Sequence, residues 1–161
     1  MPLLPSSPSL SVAATTAVSA TPAKPLSEAA QAALQAFDLV VQATGGFRAR
    51  PGQRSMAEQV AATFSTAELG KPEEGQAERP PVRAIAVIQA GTGVGKSLAY
   101  CAPAIALALA RGTRVLISTA TVALQEQLVN KDLPALAARM EQPFAFALAK
   151  GRGRYVCKLK L

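Results

Sequence analysis

The sequence predicts an α/β fold, a parallel sheet with flanking helices, and three observations carry that expectation. Three largely apolar runs of strand length occur at residues 84–89, 113–119 and 144–150. A helix-patterned stretch separates the first two runs, which is the length a crossover between parallel neighbours needs. A glycine-rich turn, AGTGVGKS at residues 90–97, joins the first run to that stretch. The first run, AIAVIQ, is apolar and partly β-branched, as a strand covered on both faces should be.

The turn carries the chemistry. A triphosphate must be held by many donors at close range. Gly91, Gly93 and Gly95 have no Cβ, so the backbone there is free to curl and bring its N–H groups toward phosphate oxygens. The N-terminus of the following helix adds unpaired N–H groups and the positive end of its dipole. In this pattern Lys96 reaches the β- and γ-phosphates and the Ser97 hydroxyl holds Mg²⁺, while Thr92 and Val94 fill the variable positions. The general pattern opens on glycine, and here that place is taken by Ala90. The helix is expected from Lys96 to Ala110, with Gly112 supplying a left-handed end.

Composition narrows the chemistry further. The chain has 161 residues, enough for one domain with a core, and 50% of them are hydrophobic but only 4% aromatic. There is no histidine, which excludes histidine acid–base catalysis and histidine metal ligation. The net charge is +7, which suits a partner bearing phosphates. Arg48, Arg50 and Arg54 form one basic cluster; Lys150, Arg152, Arg154, Lys158 and Lys160 form another. The two cysteines, Cys101 and Cys157, make no disulfide framework, and Cys101 falls in an apolar helical run as a core residue. No apolar run reaches the ~20 residues that span a bilayer, and no secretory leader is visible, so a cytoplasmic location is expected.

Taken in order, residues 1–26 are rich in Pro, Ser, Thr and Ala and are expected to form a disordered arm. Residues 28–42 should be helical behind a Ser27 cap, with Leu34, Phe37, Val40 and Val41 facing inward and Gly45 and Gly46 at the end. Pro51 and Gly52 mark a turn, and a helix from about Gln53 should bury Met56, Val60 and Phe64. Gln53 offers both a donor and an acceptor and so can pair with the N6 and N7 edge of adenine; its plainer reading is an exposed helix-start residue. Residues 67–81 are polar and read as a surface loop. Pro103 should kink the helix that follows the glycine-rich turn. Thr121 should cap a helix from Val122 with Leu124 and Leu128 facing the core, and a further short helix should run over residues 131–139 with Pro134 in its first turn.

Four pieces then line up: RPGQ at residues 50–53, AGTGVGKS at 90–97, STATVALQEQL at 118–128 and KGRGRYVC at 150–157. Together they resemble the start of a DinG-type ATP-dependent DNA helicase, a relative of the XPD-like iron–sulfur helicases of superfamily 2. The resemblance runs from about residue 47 to the end, with the loop at 68–81 unmatched. It implies a P-loop NTPase (RecA-like) motor domain, represented by residues 27–161 and incomplete, with ATP and Mg²⁺ as cofactors and single-stranded or forked DNA as partner. By the same resemblance Gln53 reads adenine, and residues Ala90 to Ser97 cradle the triphosphate. Thr119 and Gln125 meet the DNA backbone, or are plain strand-end and helix-surface residues; Arg152 and Arg154 meet DNA phosphates, or belong to a solvated basic loop. Cys157 matches the first of four iron–sulfur ligands, a role open to it only in a full-length parent, because four thiolates are needed. By the same resemblance, the acidic D-E-A-H box that orients Mg²⁺ and water and the second motor domain are missing from this sequence, so this chain is expected to bind nucleotide without turning it over. Against these stands the alternative of a degenerate or truncated remnant that binds nucleotide or DNA without helicase activity.

Overall fold

The computed structural model describes residues 25–46, 50–68 and 82–151. Most of the arm expected over 1–26 lies outside them, as do most of the loop at 67–81 and the basic segment carrying Arg152, Arg154 and Cys157.

Three helices make the packed body. Helix α1 is Glu28–Gln42, and the Ser27 hydroxyl accepts from the Ala30 N–H at its start. Glu28 in the first turn suits the positive end of the dipole. The buried residues Ala30, Ala33, Leu34, Phe37, Val40 and Val41 recur at three and four, so one stripe faces the core. Helix α2 is Pro51–Thr66, two residues earlier than the pattern suggests. Proline suits a first helical position, because the N–H it lacks has no partner there. What reads as a Pro-Gly turn is thus the first turn of α2. Met56 and Val60 are buried as expected, together with Ala57 and Ala61, but Phe64, in the last turn, is 39% exposed.

Helix α3, Lys96–Ala110, follows the glycine-rich turn. Pro103 lies inside it and is fully buried among the core residues, without ending the helix. Gly112, at φ +61°, turns the chain away in the left-handed conformation. Helices α1, α2 and α3 pack on one another pairwise around Ala30, Phe37, Ala57, Ala61, Ala99, Cys101 and Ala102. Small side chains at these places let the helices approach closely, with Phe37 as the one large ring among them.

The second helical run is interrupted. Helix α4, Val122–Gln127, is capped by Thr121, whose hydroxyl accepts from the Leu124 N–H at 3.3 Å. A π-helical turn, Leu128–Asp132, joins it to α5, Leu133–Ala137. Pro134 has no N–H and its ring would meet the carbonyl four residues back, so a wider turn just before it relieves that conflict. The further helix expected over residues 131–139 is therefore the shorter α5, joined to α4 through this turn. Leu128, Leu133 and Leu136 are buried, whereas Leu124 is 45% exposed because its turn projects past the core.

The expected sheet is where the structure departs from the pattern. Residues 84–89, 113–119 and 144–150 take no regular secondary structure and form no ladder among the described residues. Along residues 84–90 burial alternates: Ala84, Ala86, Ile88 and Ala90 are half-buried while Ile85 and Val87 are 84% and 94% exposed. Period-two alternation is the signature of extended chain with one face packed. That face lies on the helices, since Ile88, Ala90, Ile117 and Phe144 pack against the core. The other faces stay open, and Leu116 is 91% exposed. A groove of about 530 Å³ separates residues 113–119 from 143–149.

Candidate nucleotide-binding site

The loop of residues 90–95 leads from the first extended segment into α3. Gly93 and Gly95 have φ of +76° and +87°, a region closed to side-chain-bearing residues at little cost. Gly91 is not left-handed and has open space around its Cα, so only two of the three glycines are required by the loop's shape. Gly95 is the N-cap of α3 and supplies no side-chain acceptor, which leaves the first-turn N–H groups free to meet an anion. Thr92 is exposed at the apex and Val94 is half-buried close to Gly52.

Lys96 and Ser97 open α3 and are both half-buried. Lys96 Nζ donates to the carbonyls of Gly91 at 2.7 Å and Ala90 at 3.2 Å, so its ammonium is folded into the loop's own concavity. Three residues on, Tyr100 shares the helix face with Ser97. Burial pushes its phenol above the ordinary value, with the neighbouring Cys101 adding, and a hydrogen bond with Ser97 opposes the shift. Cys101 itself is fully buried and burial pushes its thiol up to about 12, with Asp132 adding.

The turn from Arg50 to Gln53 sits directly against this loop. Arg50 Nη1 donates to the Gly93 carbonyl, and Gln53 Nε2 donates to the Gly95 carbonyl at 3.0 Å. Gln53 is fully buried, which corrects its reading as an exposed helix-start residue. Its Oε1 is buried with no hydrogen-bond partner. Nε2 keeps a second N–H beside the Gly95 bond, and it is the full burial of the amide that keeps that N–H and Oε1 from a base edge in this conformation. A Cβ on Gly95 would run into the Gln53 amide, so this glycine is required by close approach as well as by φ.

Two further arginines find internal uses. Arg54 makes a two-point ion pair with Asp38, Nη2 to Oδ2 at 3.0 Å and Nε to Oδ1 at 3.1 Å, which ties α2 to α1 and raises the guanidinium's affinity for its proton. Arg111 donates to the carbonyls of Ser65 at 2.7 Å, Phe64 at 3.0 Å and Ala67 at 3.3 Å, capping the C-terminal end of α2 from the end of α3. Only the count of basic residues is legible at these places; nothing local in the sequence marks Arg111 as a cap for a helix so far back in the chain.

Thr119 and Gln125 both line the groove beside residues 143–149, with Ile105, Ala108 and Leu109 of α3 also along it. Thr119 is half-buried and its hydroxyl donates to the Thr121 carbonyl at 3.2 Å. Arg152, Arg154 and Cys157 lie outside the described residues. Among the described residues, no three His, Cys, Asp or Glu side chains gather as a metal site, and Cys101 is enclosed by the core. These residues do not fit an iron–sulfur cluster.

A glycine loop that passes an extended segment into a helix, with a lysine and a serine at the helix start, defines a nucleotide-binding P-loop. Residues 76–146 match the DEAD/DEAH box helicase family, which implies a P-loop NTPase fold. The particular resemblance is to DinG. The chain is 59% identical over 73 residues to the ATP-dependent DNA helicase DinG of Photobacterium profundum, covering 45% of this chain and 10% of that one. It is 44% identical over 127 residues to the ATP-dependent helicase DinG of Mycobacterium tuberculosis, covering 76% of this chain and 17% of that one. The DinG of Salmonella choleraesuis is 49% identical over 74 residues, 46% of this chain and 10% of its own. The chain thus spans between a tenth and a fifth of the length of these relatives. No solved structure matches. Among the described residues no helix is long and apolar enough to cross a membrane.

Proposed function

We propose that this chain supplies the ATP-binding loop of a DinG-like, ATP-dependent DNA helicase. The observation that carries the reading is the loop itself: Gly93 and Gly95 left-handed, the start of α3 open, and the Lys96 ammonium in the loop's concavity. The triphosphate takes the place the loop carbonyls now have on Lys96, and the backbone N–H groups of residues 91–97 surround its oxygens. Ser97, at the second position of α3, holds the Mg²⁺ that neutralises phosphate charge when bound. Residues 84–89, 113–119 and 144–150 are read as strands of a parallel sheet whose neighbours come from outside the described residues; the open apolar faces of Val87 and Leu116 support that reading.

DNA is the proposed partner, supported by the names of the relatives and by the net charge of +7. Thr119 and Gln125, brought to one groove, are the proposed backbone contacts, with Arg152 and Arg154 beyond them. Coupling of hydrolysis to strand separation is assigned to a longer helicase; nucleotide binding is what this chain's own residues support.

Calorimetric titration with Mg·ATP tests the reading. The wild-type chain should bind, and Lys96→Ala should lower affinity at least tenfold, on the order of the 1.4 kcal/mol that a charged contact supplies. Equal affinity in both would remove the assignment.

A further inference from the structure

Ser97 is the second residue of α3 and Tyr100 stands three residues further on, so the two are neighbours on one helix face. Long side chains on a helix lean toward its N-terminus, which carries the phenol of Tyr100 back over Ser97. A hydrogen bond joins the two side chains, and both are half-buried. They differ in how firmly they are held. The Ser97 hydroxyl hangs on one rotatable bond at the open end of the helix. Tyr100 packs against the hydrophobic core, on a helix whose following residues Cys101, Ala104 and Leu107 are buried. The ring is thus seated by the body of the molecule, while the hydroxyl it meets belongs to the phosphate loop's edge.

A serine hydroxyl has one hydrogen and two lone pairs. Its oxygen is the kind of hard donor that Mg²⁺ takes, but only through a lone pair. The hydrogen must then point elsewhere, and a nearby oxygen has to accept it. We propose that Tyr100 is a positioning residue for the metal at this loop: its phenol oxygen accepts the Ser97 hydroxyl hydrogen and fixes the serine with its lone pairs turned outward. The inference rests on the nucleotide-binding reading above and deepens it, by giving a role to a residue outside the glycine loop. Setting the serine in advance removes part of the ordering cost of binding. In this role Tyr100 touches neither phosphate nor metal and acts through Ser97 alone. Its hydroxyl therefore contributes only to the metal-dependent part of nucleotide binding. Lys96 is the contrast, since its ammonium serves phosphate with or without a metal.

Calorimetric titration of ATP, once with excess Mg²⁺ and once in EDTA, separates positioning from packing. Tyr100→Phe keeps the ring and removes only the hydroxyl. The factor by which Mg²⁺ tightens ATP binding should fall about fivefold in this variant, as for one lost hydrogen bond. Its affinity in EDTA should match that of the wild type. In a Ser97→Ala background the same substitution should change neither affinity, because no hydroxyl remains to orient. A Tyr100→Phe chain that matches the wild type in both titrations makes the tyrosine a packing residue and overturns the proposal. Equal weakening with and without Mg²⁺ overturns it too, as does an undiminished effect in the Ser97→Ala background. Loss of fold in Tyr100→Phe, seen by circular dichroism, would make the hydroxyl structural and have the same consequence. A wild-type chain that binds ATP equally well in Mg²⁺ and in EDTA keeps the nucleotide reading and removes this one. A wild-type chain that binds under neither condition removes both.

Discussion

Lys96 holds two carbonyls that, in the proposed nucleotide complex, it would give up to a phosphate, and the loop around it is shaped by two glycines that no other residue replaces cheaply. Gly95→Ala therefore meets two obstacles, a left-handed φ and the Gln53 amide. It should abolish nucleotide binding, whereas Gly91→Ala, with open space at its Cα and no left-handed φ, should weaken it far less; titration of the two variants checks the contrast. Cys101 offers a second test at this scale. Burial raises its thiol from 9.0 to about 12, so the folded state favours the neutral form. The stabilisation this gives is complete below pH 9 and is lost as pH rises toward 12. Urea titrations at pH 8 and about 10.5 should show a larger loss of stability for the wild-type chain than for Cys101→Ala. The folded wild type should also resist alkylation by iodoacetamide at pH 8, because the thiolate is scarce and enclosed.

At the scale of the element, α2 is the part that joins the core to the loop. Its first turn meets Gly93 and Gly95, its middle packs on α1 and α3, and its last carbonyls receive Arg111. The ties to α1 differ in weight. The Arg54–Asp38 pair is half open to water, and a double-mutant cycle should give a coupling of about 0.2–1 kcal/mol. Phe37 has no exposed surface and packs among small side chains that cannot close over a void. Phe37→Ala should cost about 3–5 kcal/mol in urea unfolding, a large share of the ~5–15 kcal/mol that holds a domain folded. Loss of α1 would in turn release α2, and with it the seat of Arg50 and Gln53.

For the molecule as a whole, the open side of the extended segments is the dominant feature. Ile85, Val87 and Leu116 turn nearly all their surface to solvent, although they stand in runs as apolar as a buried strand. Val87→Lys should change the stability of this chain by no more than about 0.5 kcal/mol, because the side chain has no packing to lose. The same substitution at Val60, which is buried between helices, should prevent folding. Equal effects at the two sites, measured by thermal unfolding, would mean that the open face is covered in solution. Extended chain with exposed apolar residues and free backbone edges also invites association. Val87→Lys should therefore make the chain more soluble than the wild type, by light scattering.

Local pattern determined a great deal here. Helix α1 with its Ser27 cap, helix α3 with its Gly112 end, the Thr121 cap and the loop with Lys96 and Ser97 all follow from spacing and from residues within one or two turns of each other. Such features rest on contacts between near neighbours in the chain, which is why they are readable. The proline-led start of α2 escapes such a reading because a Pro-Gly pair serves equally as a turn or as a first helical turn. What only the tertiary structure decided are the long-range pairings: Arg50 and Gln53 with the glycine carbonyls, Arg54 with Asp38, Arg111 with the end of α2, and the absence of a ladder among the extended segments that are described. An apolar run announces that a segment will be extended, but its partners are chosen by where the helices set it down. A buried amide, likewise, is recognisable only once the backbone it must satisfy has been brought beside it.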